Sequence, residues 1–298
     1  MKRGCLFALF VLIMSCSNKS AVADNTDVLD NPPPERGQPT DPVPQAPFKK
    51  VFIMILENTN STAAAAQPYL GKLAKAGAYL NNISALTHPS QPNYIGLTSG
   101  DLNGVSGNGK YDLNVPNIAD LIEAKGKTWK AYAEDYPGNC FVGDKGKYRR
   151  KHAPFISYVS ISKNPARCKN IVNATELLTD LKSGNIPDYS FYSPNLDNDG
   201  HDTGVAFASK WLERTFDSLL RDPVFMKDML FIVTFDEDGG TRPNMIYTAL
   251  VGPGVMPGTV SNTRYTLYSL LRTIEEGLGL GNLGKKDSTA PVIDDVWR

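Results

Sequence analysis

The sequence has no surplus of charge of either sign. Its 298 residues carry 31 Lys and Arg against 31 Asp and Glu, and removing Lys2 and Arg3 with an N-terminal leader leaves 29 against 31. Proteins that bind nucleic acid non-specifically usually carry a basic excess, so that class is set aside. The apolar run near the start, Leu6 to Met14, is too short to span a bilayer comfortably. No internal repeat is visible. Histidine is scarce, with only His88, His152 and His201, and there are four cysteines, of which Cys5 and Cys16 fall in the leader region. What is present is an ordinary globular composition, 41% hydrophobic and 21% charged. The length suits one large domain with a substantial core.

Lys2 and Arg3, the short apolar run and Ser15-Cys16 have the order of an export signal. The run Leu12-Ile13-Met14-Ser15-Cys16 resembles a lipoprotein signal, in which Cys16 becomes the lipidated first residue; Met14 is unusual there, and cleavage near Ala21 to Ala23 stays open. Residues Asn18 to Pro47 are polar and rich in proline and read as an extended tether. The predicted organisation is a signal over 1–15, a tether over 16–48 and one domain over 49–298. In an exported chain, Cys140 and Cys168 are expected to pair, stapling a loop rich in Gly, Lys and Pro.

Beyond Lys50, short apolar runs alternate with helix-like segments. Val51 to Leu56 and Met229 to Phe235 read as buried strands, with further strands over Leu80 to Leu86, Thr128 to Ala133, Ser190 to Tyr192 and Ile246 to Val251. Helical spacing marks Pro68 to Ala78, Ile118 to Ala124, Thr203 to Leu220 and the stripe Leu267, Leu270, Leu271, Ile274. This alternation predicts an α/β sandwich with a mostly parallel sheet, whose ligands bind beyond the carboxyl ends of the strands.

Polar residues collect at those ends. Glu57-Asn58 follows the first strand run, and Asp236-Glu237-Asp238 follows Phe231 to Phe235. Any one such acid is usually a solvated loop residue, but two clusters at two strand ends can hold a hard divalent cation through oxygen. Ser90 lies in Thr87-His88-Pro89-Ser90-Gln91-Pro92-Asn93-Tyr94, just ahead of a helix-compatible run that begins at Pro92. A helix start favours anions, and a hydroxyl there can act as nucleophile if its pKa is lowered. Taken alone, Ser90 would be read as a cap. Asp197-Asn198-Asp199-Gly200-His201-Asp202 and the basic run Lys147 to His152 add groups for proton transfer and anion contact. Most of the basic run is expected to be solvated, with one or two side chains turned to an anionic substrate.

These motifs, Glu57-Asn58, His88 to Tyr94, Lys151-His152-Ala153-Pro154-Phe155, Asn198-Asp199-Gly200-His201-Asp202 and Phe235-Asp236-Glu237, resemble in order the bacterial phosphoesterase family of secreted acid phosphatases and phospholipase C-like enzymes. The similarity runs from about Lys50 to Trp297 and looks closest to acid phosphatases of the phosphatidylinositol 3-phosphatase type. It implies a three-layer α/β/α sandwich like that of alkaline phosphatase. It also implies Ser90 as nucleophile and one divalent cation on Glu57, Asn58, Ser90, Asp236 and Glu237. Phosphate contacts would come from Asn93, His88, Lys151, His152 and His201. Family members commonly carry His where this chain has Leu267, which fits the apolar stripe of the last helix and puts a second metal site in doubt.

The expected chemistry is two-step phosphoryl transfer through a phosphoseryl intermediate. His201 or His152 would protonate the leaving group, with Asp199 or Asp202 orienting the imidazole. Expected partners are a phosphorylated small molecule or a lipid headgroup, with the membrane reached only through Cys16 and no nucleic acid. A phosphodiesterase or phospholipase C on the same scaffold, and a catalytically silent surface lipoprotein, are the rival readings.

Overall fold

The computed structural model describes residues 48–298. The signal, Cys16 and all but the last residue of the tether lie outside the described residues. The strands are β1 (Lys50–Leu56), β2 (Ala78–Leu80), β3 (Ile83–Ser84), β4 (Trp129–Ala133), β5 (Ile171–Asn173), β6 (Tyr189–Ser193), β7 (Met229–Phe235), β8 (Thr248–Val251), β9 (Thr259–Ser261) and β10 (Tyr265–Thr266). The helices are α1 (Ser61–Ala65), α2 (Pro68–Ala76), α3 (Ser90–Ser99), α4 (Ile118–Ala124), α5 (Val159–Ser162), α6 (Pro165–Cys168), α7 (Glu176–Ser183), α8 (Val205–Leu220) and α9 (Leu267–Gly277).

One sheet runs in the order β5-β4-β6-β1-β7-β8-β2-β9. β1 sits in its middle, paired in parallel with β6 and β7. Val51 to Leu56 and all of β7 are buried, as strands covered on both faces must be, which is why their sequences are apolar without alternation. β8 runs against its neighbours β7 and β2, so the sheet is mostly rather than wholly parallel.

Alternation along the strands sorts the helices into layers. Phe52 and Tyr192 point to one face and meet Phe216 of α8, with ring centroids 5.7 and 5.2 Å apart. Phe191, one residue out of phase, points to the other face and meets Tyr94 of α3 and Phe155 at 6.4 and 5.5 Å. Helices therefore cover both faces, as an α/β/α sandwich requires. Truncating Phe52 to Ala would open a cavity costing about 3–5 kcal/mol.

Most boundaries follow the sequence reading. α4 begins at Ile118 because the Asn117 side chain caps the Ala119 N–H at 3.1 Å and Asp120 accepts from the Asn117 N–H at 2.8 Å. The Leu80 to Leu86 stretch is instead two short pieces, β2 and β3, the second paired with β10 rather than in the main sheet. α3 starts at Ser90, two residues before the expected Pro92. Pro92 is thus its third residue, where the missing N–H has no partner to lose. Cys140 and Cys168 form the expected disulfide, with Cα atoms 5.7 Å apart. Leu267, first residue of α9, is buried in the core.

Candidate active site

The site grows from the register of two strands. Leu56 and Phe235 are partners across β1 and β7, and the Asp236 N–H donates to the Leu56 carbonyl at 3.1 Å. Glu57 and Asp236, the next residues, therefore emerge side by side at the carboxyl ends of parallel strands, the place such sheets reserve for ligands. The loop after β6 joins them, since the Glu57 N–H donates to the Asp199 carbonyl at 2.9 Å.

Ser90 reaches the same place from the first turn of α3. Asn93 fixes the turn before it: its Oδ1 accepts from the N–H groups of Leu86 and Thr87 at 2.8 and 3.0 Å, and its Nδ2 donates to the carbonyls of Thr87 and Pro89 at 2.8 and 3.3 Å. α3 then opens on Ser90, whose buried Oγ lies 3.2 Å from Glu57 Oε2 and 3.1 Å from Glu237 Oε1. A single hydroxyl proton serves only one of these oxygens at a time. Lys151 Nζ lies 3.4 Å from the same Oγ and donates to it. Tyr94, one helical turn after Ser90, donates its hydroxyl to Glu57 Oε1 at 2.6 Å.

Asn58 adopts the left-handed backbone, φ 46°, which Asn tolerates better than most residues. Its side-chain amide reaches Glu57 Oε2 and Glu237 Oε1, each at 3.2 Å. An amide can act there as a donor to the two carboxylates or as a neutral oxygen ligand beside them.

His152 closes the cluster from a 3₁₀ turn over Arg150–His152. It is buried and stacks on the Tyr94 ring at 5.3 Å. Its Nε2 lies 3.1 Å from Glu57 Oε1 and its Nδ1 3.2 Å from Asp199 Oδ2. Nε2 and that Asp199 oxygen nonetheless have no aligned hydrogen-bond partner among the described residues. Ligand atoms of Glu57, His152 and Asp199 all fall within 4.8 Å of one another.

The electrostatics call for a positive group. Burial would raise Glu57, but His152, Lys151 and the Tyr94 hydroxyl hold it below the usual carboxylate range. Burial likewise opposes charge on His152, and Glu57 outweighs it, so the imidazole is raised. Asp236 is pushed far above its ordinary value, first by burial and then by Glu57 and Glu237. Its Oδ2 is buried with no partner among the described residues. Four carboxylates around an unpartnered oxygen, with an amide and an imidazole at hand, fit a divalent cation.

The structure thus brings Glu57, Asn58, Ser90, Lys151, His152, Asp199, Asp236 and Glu237 into one cluster. His88 stands at its edge, with Nδ1 2.5 Å from Glu237 Oε2 and Nε2 3.5 Å from Asp238 Oδ1. At the other edge the His201 ring is 6.2 Å from that of His152. His201 Nδ1 lies 2.8 Å from Asp202 Oδ1, and Asp202 also pairs with Lys147 at 2.9 Å. Asn93 is not among the converging side chains, because its amide is fully engaged by the turn. The motifs alone give Tyr94 no role; its spacing of four from Ser90 on one helix is the signal that places both on the same face.

The sequence pattern of the Phosphoesterase family matches residues 56–281, from the end of β1 to just past α9. The chain is 38% identical over 267 residues to a probable acid phosphatase of Kluyveromyces lactis, an alignment covering 84% of this chain and 63% of that one. It is 33% identical over 257 residues to a phosphatidylinositol-3-phosphatase of Mycobacterium tuberculosis, covering 84% of this chain and 83% of the relative. The chain spans less than two thirds of the length of the fungal relative. Its backbone resembles that of a protein in the alkaline phosphatase superfamily from Vibrio parahaemolyticus, with TM-score 0.59 and 14% identity over 83% of this chain and 72% of that one. That likeness bears out the expected fold. The fungal relative makes the family wider than the bacterial group expected from the motifs.

Proposed function

Because the chain belongs to the Phosphoesterase family, we propose that it is a phosphatase that hydrolyses phosphate monoesters with Ser90 as nucleophile. The observation that carries this reading is the setting of Ser90 Oγ, held between Glu57 Oε2 and Glu237 Oε1 with Lys151 Nζ at 3.4 Å. The names of its relatives, an acid phosphatase and a phosphatidylinositol-3-phosphatase, support the substrate class.

One divalent cation would be held by Glu57, Asn58, Ser90, Asp236 and Glu237, with His152 and Asp199 within reach, and would supply Lewis acidity that lowers the hydroxyl pKa and draws charge from phosphoryl oxygens. Ser90 gives its proton toward the carboxylate oxygens it already touches and attacks phosphorus in line with the leaving oxygen. Lys151 receives negative charge on a phosphoryl oxygen. His152 is enclosed between Glu57 and Asp199, so protonation of the leaving oxygen falls to His201, whose Nδ1 is oriented by Asp202. The leaving alcohol departs with that proton. Water then attacks phosphorus and passes a proton to His201, the P–Oγ bond breaks as the proton held by the carboxylate returns to Ser90 Oγ, and inorganic phosphate leaves.

We also propose that the chain is exported, with a signal over 1–15, a lipid anchor at Cys16, a tether over 16–48 and the phosphoesterase domain over 49–298. The Cys140–Cys168 disulfide supports an oxidising compartment. Mass analysis of the mature chain checks the anchor: an acylated Cys16 supports it, and an N-terminus near Ala21 opposes it. The activity is checked with nitrophenyl phosphate and its diester, each with and without chelator. Monoester hydrolysis that chelation abolishes is expected. Preference for the diester would mark a phosphodiesterase, and no phosphate release would mark a binding protein.

A further inference from the structure

Successive side chains on a 3₁₀ turn diverge by about a third of a circle, and the Arg150–His152 turn sends its three in different directions. His152 enters the carboxylate cluster and Lys151 reaches Ser90. Arg150 lines a separate cavity of about 380 Å³, together with Asn108, Lys110, Val142, Asp144 and Lys151 itself. That volume suits a small phosphorylated metabolite.

Arg150 is only 4% exposed, yet its guanidinium is incompletely used. Nη2 donates to the Tyr111 carbonyl at 2.5 Å and to Asp112 Oδ1 at 2.7 Å. Nε and Nη1 have no partner among the described residues. Gln91, behind the wall, fixes one side of it: its Oε1 accepts from the N–H of the lining residue Gly109 at 2.7 Å, and its backbone N–H donates to Asn108 Oδ1 at 3.0 Å. A buried charged donor left unsatisfied costs free energy that a bound acceptor would recover. The charge of the wall favours an anion: Lys110, Arg150 and Lys151 line it against one acid, Asp144, whose Oδ1 accepts from the Arg150 backbone N–H at 2.7 Å. Outside the wall Asp112 pairs with Arg150 and Glu57 lies 4.0 Å from Lys151 Nζ, which leaves Lys110 as the lining cation with no ion pair among the described residues.

We propose that this cavity receives the leaving-group half of the substrate, and that Arg150 and Lys110 recognise a second oxyanion carried there. Lys151 belongs both to the cavity and to the contact with Ser90, so one molecule can present its scissile phosphate to Ser90 and its other anion to Arg150. The inference rests on Ser90 being the nucleophile. The substrate class is a phosphate monoester bearing a further phosphate or a carboxylate.

The test compares kcat/KM for glycerol phosphate, phosphoglycerate and glycerol bisphosphate. The first lacks a second anion, and the other two supply it as carboxylate or as phosphate. At least one of the latter two is expected to exceed glycerol phosphate about tenfold or more, the effect of one charge-assisted hydrogen bond. Arg150→Gln should collapse that ratio toward one. Because Arg150 also holds Tyr111 and Asp112, the exposed Lys110→Glu provides a variant free of that structural duty, and it too should lower the ratio. Equal kcat/KM for all three substrates, or a ratio untouched by Lys110→Glu, overturns the proposal. If nitrophenyl phosphate itself is not hydrolysed, the Ser90 reading has failed separately. Calorimetric titration of the wild-type protein with glycerol bisphosphate against glycerol phosphate then decides the cavity alone, equal affinities overturning it.

Discussion

Glu57 and Asp236 stand side by side because Leu56 and Phe235, the residues before them, are partners across adjacent parallel strands. Backbone pairing thereby forces two buried carboxylates together, and burial followed by Glu57 and Glu237 pushes Asp236 well above its ordinary range.

That juxtaposition makes thermal stability depend on a cation. An ion bound only by the folded chain, present at about 100 times its Kd, stabilises by about 2.7 kcal/mol. We expect Tm to fall when chelator is added and to recover with divalent metal. Asp236→Asn should lose most of that response. A wild-type Tm indifferent to chelator contradicts the cation site.

Asn93 is expected to behave as a structural residue rather than a substrate contact. Asn93→Ala removes four hydrogen bonds from a buried turn and should lower unfolding free energy by about 2–4 kcal/mol, read from denaturant midpoints. An unchanged midpoint with a raised KM would restore the phosphate contact implied by the family motif.

Much of this was legible in the sequence for physical reasons. The apolar runs of β1 and β7 read as strands covered on both faces, and two acidic clusters directly after two such strands pointed together to the sheet's ligand edge, where either one alone would not. What could not be read was how side chains divide the work. Asn93 and Ser90 share one motif, yet one faces backwards into the turn and the other forwards to Glu57, a distinction set by helix phase. His152 is expected from the sequence to contact phosphate or protonate the leaving group, and Asp199 to orient an imidazole or contact substrate. Only the loops after β4 and β6 show that both reach Glu57 itself. Nothing in composition marks Arg150 from its neighbours in a basic run, since its burial depends on the 3₁₀ turn.

Glu275 gives a pH signature away from the site. Burial, with the Asp287 carboxylate nearby, pushes it from 4.5 up to about 9. Between these values the folded chain keeps a proton that the unfolded chain releases, so this group's stabilisation is full below about pH 4.5 and is lost as pH rises toward 9. The slope approaches about 1.4 kcal/mol per pH unit. Glu275→Gln should flatten this fall and raise Tm at pH 8 relative to wild type. An identical pH profile in both proteins would show that Glu275 titrates normally.

The disulfide links stability to activity. Cys140 and Cys168 enclose the segment that carries Lys151 and His152. Cys140→Ser with Cys168→Ser should cost about 3 kcal/mol of stability, measured in denaturant, and should lower kcat as well. Stability lost with full kcat retained would mean that the turn over Arg150–His152 holds its place without the link.

The most direct test is the turnover of Ser90→Ala on nitrophenyl phosphate, with Tm measured alongside. The expected result is a loss of at least about a thousandfold in kcat with the fold intact, as removal of a nucleophile produces. A folded Ser90→Ala protein that keeps most of the wild-type rate would show that the nucleophile lies elsewhere.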